Sequence, residues 1–374
     1  MNFKNLTFLL FILVVTKTQA QFLQDNTARD ATKAGLDYIY NLEFDKADRV
    51  LDPVKRKYAN HPVVYLLNAV ELQWRYLPID QNPAMLKKYT SELEQCISSA
   101  KKLYKNPAYT KECTFFLLAS YGFIALSHNY QKEYLEAASE AKKAYSYFLE
   151  GKKLKNEIPE FLFATGLYNF YRVQYPENHG MVKPVVMFFE GGNKKLGLQE
   201  LEQATRSSVF SRVEASMYLT NINIKYQSNF KKALYYSGDL YAKYPENDIL
   251  KIKYIECLLL NEQFEQANNL NRSLANSTDR ISKISYLVFD GYIEEHYRNN
   301  LSKALNSYAR SLQLKSDDRY TKEYHSMAYL GMARAFASQN ELGKAQAFYK
   351  KCNEVAEYKW VAEAAQAELK TLKK

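Results

Sequence analysis

The chain has 374 residues, 47% hydrophobic and 25% charged, with only 12 glycines and 9 prolines. That length and balance suit a large folded core and exclude a disordered or collagen-like chain. The formal net charge is +10, but lysines are spread among glutamates as on solvated helix faces, which argues against a nucleic-acid surface.

Met1–Ala20 carries Lys4, then the apolar run Phe8–Val15, then Thr18-Gln19-Ala20. This pattern reads as a secretory signal cut before Gln21. The run is too short to span a bilayer, and no cysteine follows it to take a lipid. The expectation is an exported protein of a Gram-negative bacterium, periplasmic or outer-membrane-associated, with secretion as the alternative. No other long apolar segment occurs, so the remaining chain, 21–374, is expected to be soluble, with peripheral envelope association at most.

Thr27–Ala59 reads as a first helical hairpin, with Pro53 set to kink its second helix. Pro62–Tyr76 and Ala84–Tyr104 form the next, joined by Leu77–Pro83 with its two prolines. Tyr109–Asn129 and Tyr134–Glu150 form a third, broken at His128-Asn129-Tyr130, and Gly151 suits a C-terminal cap. Ile158–Ser208 is irregular. Its first helix is Glu160–Tyr175, and its second starts near Asn193. Between them lies an insertion, 176–192, longer than a helix turn needs. Its apolar run Val185, Val186, Met187, Phe188 and Phe189 reads either as a lid or docking edge on an inner groove, or as packing against neighbouring helices. Ser211–Asn276, Ile281–Leu314 and Tyr324–Val355 supply four further units. Trp360–Leu372 is a last amphipathic helix with a lysine-rich end, fitting a cap.

The clearest periodicity lies in 214–281. Phe230 returns as Phe264, Ala233 as Ala267 and Leu240 as Leu274, each 34 residues on. A fixed period of that length marks stacked helical hairpins, none of which buries its apolar face alone. Small residues such as Ala233 let paired helices approach closely, and Pro245 fits an exit turn.

On these residues the chain resembles the tetratricopeptide repeat family. Gly35, Tyr38, Ala47, Leu51 and Pro62 match one unit. Gly122 and Gly166 stand at the early small position of two more. Gly291, Ala304 and Tyr308 match another, and Ala333, Phe336, Ala345 and Tyr349 the last. The resemblance implies an all-α, right-handed superhelical solenoid of about eight antiparallel hairpins closed by a capping helix. It also places a set of first-helix side chains on a concave groove: Phe163, Phe170, Tyr171, Tyr218, Lys225, Tyr226 and Tyr292. Phe116, Phe123, Leu167, Ile222, Glu256 and His296 lie beside them. Some relatives hold a peptide carboxylate with Lys and Asn at two of these positions. Here those positions hold Phe163 and Leu167, or Tyr218 and Ile222, so that clamp is missing.

Nothing in the chain spells catalysis. His61, His128, His179, His296 and His325 form no metal-ligand spacing. Glu294-Glu295-His296 are adjacent on a helix and point apart. Cys96, Cys113, Cys257 and Cys352 contain no CxxC. Cys257 and Cys352 fall at buried repeat positions. Cys96 and Cys113 flank the turn near Pro107, roughly one helical turn out of register, which leaves both a bridge and free thiols open. Gly191-Gly192-Asn193 reads as a turn and cap. Lys142, Lys143, Lys152, Lys153 and Lys155 form the densest basic cluster, a solvated face or a contact for an anionic surface. The functional expectation is therefore a non-enzymatic scaffold without metal or cofactor, holding an envelope protein or peptide in an aromatic groove. The alternative is a glycan- or lipid-binding module using the same tyrosines as stacking platforms.

Overall fold

The computed structural model describes residues 21–178 and 189–372. The expected leader Met1–Ala20 lies outside the described residues, as do Val185, Val186, Met187 and Phe188 of the insertion. Among the described residues there are seventeen α-helices and no strand. Eight antiparallel pairs follow one another: α1 (Asn26–Tyr40) with α2 (Phe44–Lys57), α3 (Pro62–Arg75) with α4 (Pro83–Tyr104), α5 (Thr110–Tyr130) with α6 (Tyr134–Leu154), and α7 (Phe161–Asn178) with α8 (Lys194–Ser207). Next come α9 (Arg212–Lys225) with α10 (Phe230–Lys243), α11 (Asp248–Leu260) with α12 (Phe264–Arg272), α13 (Arg280–His296) with α14 (Leu301–Leu312), and α15 (Lys322–Ser338) with α16 (Leu342–Val355). The single helix α17 (Lys359–Thr371) packs on α16 and ends the stack. The fold is an α-solenoid of tetratricopeptide-like hairpins.

Local chemistry sets the helix starts. Asp25, Asn82, Asn193, Asn229 and Asn300 each accept a backbone N–H of the first turn, satisfying a donor the helix cannot. Pro62 and Pro83 begin α3 and α4, where a missing N–H costs nothing. Ala47, Ala233, Ala267, Ala304 and Ala345 are wholly buried between paired helices. A further regularity has no sequence signal. Leu42, Lys132, Ser228, Glu262, Asn299 and Asn340 all have positive φ, and each stands two residues before a second helix. Six of the eight hairpin turns share one conformation, tolerated by side chains that rarely adopt it.

Four expectations need correction. The third hairpin does not break at His128-Asn129-Tyr130: α5 runs through Tyr130 and the turn forms around Lys132, the left-handed residue. Gly151 does not cap α6, which continues to Leu154. Its role is clearance, since a Cβ there would lie 2.3 Å from the Phe161 ring. Gly122 is not at a helix crossing, because a Cβ there would meet nothing within 4 Å. Gly166 and Gly197 do mark a crossing: a Cβ on Gly197 would sit 2.7 Å from the Gly166 carbonyl and 2.7 Å from the Phe170 amide. Pro176 also lies inside α7 rather than in the insertion.

The spiral returns on itself at two places. Near its start, Arg212 donates to Asp37 at 2.5 Å and to the Lys33 carbonyl at 3.0 Å. The Tyr40 hydroxyl donates to Glu214 at 2.5 Å, and Asn247 donates to the Tyr40 carbonyl at 2.7 Å. The second closure joins the short turn Ile79–Gln81 to the α14–α15 loop. There Arg319 pairs with Asp80, and Gln81 donates to Asp317 at 3.0 Å. The core follows the same plan. Phe22, the second described residue, is fully buried against Tyr58, His61, Phe116 and Phe210.

Candidate functional site

Because the spiral closes, its inner face lines a partly open chamber of about 930 Å3. First helices supply most of the wall. Val70 and Trp74 come from α3, Phe115 and Phe123 from α5, Phe163 and Leu167 from α7, and Met217 and Tyr218 from α9. Second helices contribute small residues: Ala138 and Ala141 of α6 leave the wall thin and partly open. Gly122 faces the same space, which explains the empty volume around it.

The polar groups collect where the helices begin. Glu160 precedes α7 and is buried. Its carboxylate accepts the Val209 amide at 2.5 Å and the Phe210 amide at 3.1 Å. Burial outweighs those bonds and holds its pKa up at about 6. Ser211 and Glu214 stand at the start of α9, one turn apart on the same wall. Their spacing is that of a capping box, Ser-x-x-Glu, in which each side chain normally satisfies the other's backbone. That arrangement is not made. The Ser211 side chain caps nothing, and its Oγ is buried without a hydrogen bond. Glu214 spends Oε1 on the Tyr40 hydroxyl, while Oε2 is buried without a partner. Burial pushes its pKa up as well.

Both cations on the chamber lining have charged partners, although the Arg319 Nε is buried without a hydrogen bond. Arg319 stacks 4.0 Å from the Tyr130 ring centre and 4.6 Å from that of Tyr320, and pairs with Asp80. Lys253 donates to buried Glu256 at 2.6 Å and lies over Tyr324. Glu256 also accepts the Tyr324 hydroxyl at 2.9 Å.

The residues expected on one groove fall into three places. Phe163 and Tyr218 meet edge to face at 5.5 Å on the chamber wall, with Phe123 and Leu167. Behind them Tyr171 touches Tyr218 and Tyr226, and fully buried Phe170 packs against both Tyr171 and Tyr226. Lys225 lies over Tyr226 and is paired with Glu357. Phe116 and Ile222 are core residues. Tyr292 is elsewhere: its ring lies tilted against His296 at 4.1 Å, beside Glu295, which accepts the Tyr308 hydroxyl and faces Arg334. Burial lowers the His296 pKa. Of the insertion run, Phe189 is described. It is half exposed, stands edge-on to Tyr145 at 5.2 Å, and offers its carbonyl to Arg172.

Trp74, Ser211 and Glu214 were missed in the sequence. The Ser-x-x-Glu spacing at 211–214 and the alanines of α6 were the available signals. The four cysteines are buried free thiols, and Cys96 contacts the Pro62 carbonyl rather than Cys113. In the basic cluster, Lys143, Lys152 and Lys155 are paired with Glu140, Glu190 and Glu200. Among the described residues, no group of three acidic, His or Cys side chains could hold a metal, and no helix is long and apolar enough to cross a membrane.

No family model matches the chain, and no curated protein does. Its structure is similar to the crystal structure of the yeast Tom70, with 13% identity and a TM-score of 0.40, covering 94% of this chain and 81% of that one. A likeness so distant carries no argument about function.

Proposed function

We propose that the chain is a non-catalytic binding scaffold of the bacterial envelope, holding a partner protein by an apolar segment taken into the chamber. The chamber carries this reading. Its volume lies in the range of roughly 300–1,000 Å3 typical of ligand sites, and it pairs apolar walls with a few convergent polar groups. It has room for a few apolar residues and not for a folded domain. Phe163, Tyr218 and Trp74 are the aromatic anchors such a segment needs. The envelope location rests on the leader-like Met1–Ala20. Its support is that Phe22, just past the expected cut, is already a core residue.

A lipid chain is the second reading, favoured by the same apolar walls. A glycan is not, because the walls are mainly apolar and offer few groups to hold sugar hydroxyls.

Photocrosslinking in intact cells tests the proposal. A photoreactive residue at Ala141, on the chamber wall, should trap one recurrent protein through an apolar segment. The same probe at Tyr235, which is 71% exposed on α10, should not. Adducts from Ala141 containing only lipid, or equal protein capture from both positions, would refute the scaffold.

A further inference from the structure

We propose that the chamber's occupant is an extended, uncharged stretch of polypeptide, held by its main chain against the side-chain amides of Gln73, Asn129 and Asn221. This rests on the chamber being the binding site, and it narrows the partner's apolar segment to one conformation.

The three amides share one kind of place. The chamber faces of α3 and α5 are mainly apolar stripes that recur at helical spacing. Gln73 lies one turn after Val70 and one turn before Leu77, and Asn129 lies one turn after Ala125. On α9, Asn221 lies one turn after Met217 on the same wall. Each amide therefore occupies a chamber-facing position that its helix could have filled with a hydrophobic side chain. Asn129 and Asn221 are exposed and Gln73 is partly buried, so all three open onto the space. Among the described residues, none of the three side chains has a hydrogen-bond partner. Asn221 stands well inside α9, where leucine would suit both the helix and the wall better.

The chemistry of the occupant follows from theirs. A primary amide donates from its nitrogen and accepts at its oxygen, the same two functions that a peptide group offers. An extended segment brings its peptide groups unpaired, whereas a helix has already satisfied its own. Along apolar walls such groups would be costly to bury without partners, and the three amides remove that cost. A lipid tail does the reverse, since it strips water from the amides and gives no hydrogen bond back. No charge is selected. Lys253 and Arg319 are paired with Glu256 and Asp80. The Glu160 carboxylate turns to the Val209 and Phe210 amides, and Glu214 accepts the Tyr40 hydroxyl. Trp74, Phe163 and Tyr218 are left to receive the segment's apolar side chains.

Trp74 lines the chamber, and the chain has only one other tryptophan, Trp360. In the full chain carrying Trp360→Phe, the emission of Trp74 therefore reports occupancy. That chain is titrated with a pentapeptide of leucine and alanine blocked at both ends. The comparison probes are its ester analogue, in which oxygen replaces two main-chain N–H groups, the same peptide with free ends, and decanol. A reader of the main chain has little use for side-chain order, so a generic apolar peptide suffices. The blocked peptide should bind about tenfold or more tightly than the ester, the loss expected for two hydrogen bonds. Freeing its ends should not tighten binding. The gap to the ester should narrow in Asn221→Leu and in Asn129→Leu, whose exposed positions leave the fold intact, as the melting temperature checks. Equal binding of peptide and ester overturns main-chain recognition while leaving the chamber standing, and so does a gap unchanged in both variants. Tighter binding of the free-ended peptide overturns the uncharged occupant. Tighter binding of decanol assigns the chamber to lipid and overturns the polypeptide. Silence of Trp74 toward every probe overturns this inference and the chamber's role together.

Discussion

Arg319 holds its guanidinium 4.0 Å from the ring centre of Tyr130, although the two belong to hairpins far apart in the stack. With the Asp80 pair, this contact ties the loop before α15 to the ends of α3 and α5 and shuts one end of the spiral. Without it the chamber becomes an open groove. Arg319→Ala should cost about 1–3 kcal/mol, from a half-buried ion pair and its ring stacking. It should also increase the radius of gyration. Urea unfolding and small-angle scattering check the two effects, and Arg319→Lys should recover little, because an ammonium cannot stack on two rings.

Two glycines should behave in opposite ways. At Gly197 an added methyl would lie 2.7 Å from backbone atoms of α7, which cannot yield as a flexible side chain can. Gly197→Ala should destabilise by about 1–3 kcal/mol, the usual cost of overpacking. At Gly122 the space is empty, so Gly122→Ala should stabilise α5 by up to about 1 kcal/mol through helix propensity. Thermal unfolding of both variants decides this.

Glu160 gives a pH signature. Its pKa rises on folding from 4.5 to about 6 because the carboxyl is buried, so the folded state holds the proton more tightly than the unfolded chain. The resulting stability is fully present below pH 4.5 and is lost as pH rises through 6. A shift of this size amounts to about 2 kcal/mol. Relative to Glu160→Gln, the wild-type chain should gain that much between pH 7 and pH 4.5. Glu357 acts the opposite way and in a lower window: despite burial, Lys225 and Lys322 hold its pKa down at about 2. Its contribution is present above 4.5 and disappears only as pH falls toward 2. Measuring the difference between the two chains removes it.

The repeated left-handed turn offers a stabilising change. Glu262 has φ of 60° and is exposed. Glu262→Asn or Glu262→Gly should relieve about 1 kcal/mol, since a long side chain is disfavoured in that conformation. Asn299 and Asn340 already fill the equivalent place in later hairpins. A raised melting temperature for either variant is the expected result.

The fold was legible because its signals are local and periodic. Ala233 and Ala267 announce a helix crossing by size alone, and Asn193 was visible as the start of α8. The turn at Lys132 was not, because its left-handed backbone is imposed by the hairpin and no glycine marks it. The chamber was half legible. Phe163 and Tyr218 follow from helix phase, which fixes which side of a first helix faces inward. Phase does not say how tightly the spiral winds. That depends on Arg212 with Asp37 and on Arg319 with Asp80, pairs between distant hairpins. Tyr292 kept its phase yet lies outside the chamber for that reason. Ser211 and Glu214 were hidden by their own pattern, since Ser-x-x-Glu predicts a cap and the structure makes none.

The central claim is that the chamber binds. It is tested most directly by titrating the full chain and its Gly122→Phe variant with the apolar fluorophore N-phenyl-1-naphthylamine. The Phe ring enters empty volume, so the variant should keep the wild-type melting temperature. One saturable site in the wild type that disappears in Gly122→Phe is the predicted result. Equal binding by both chains would contradict the account.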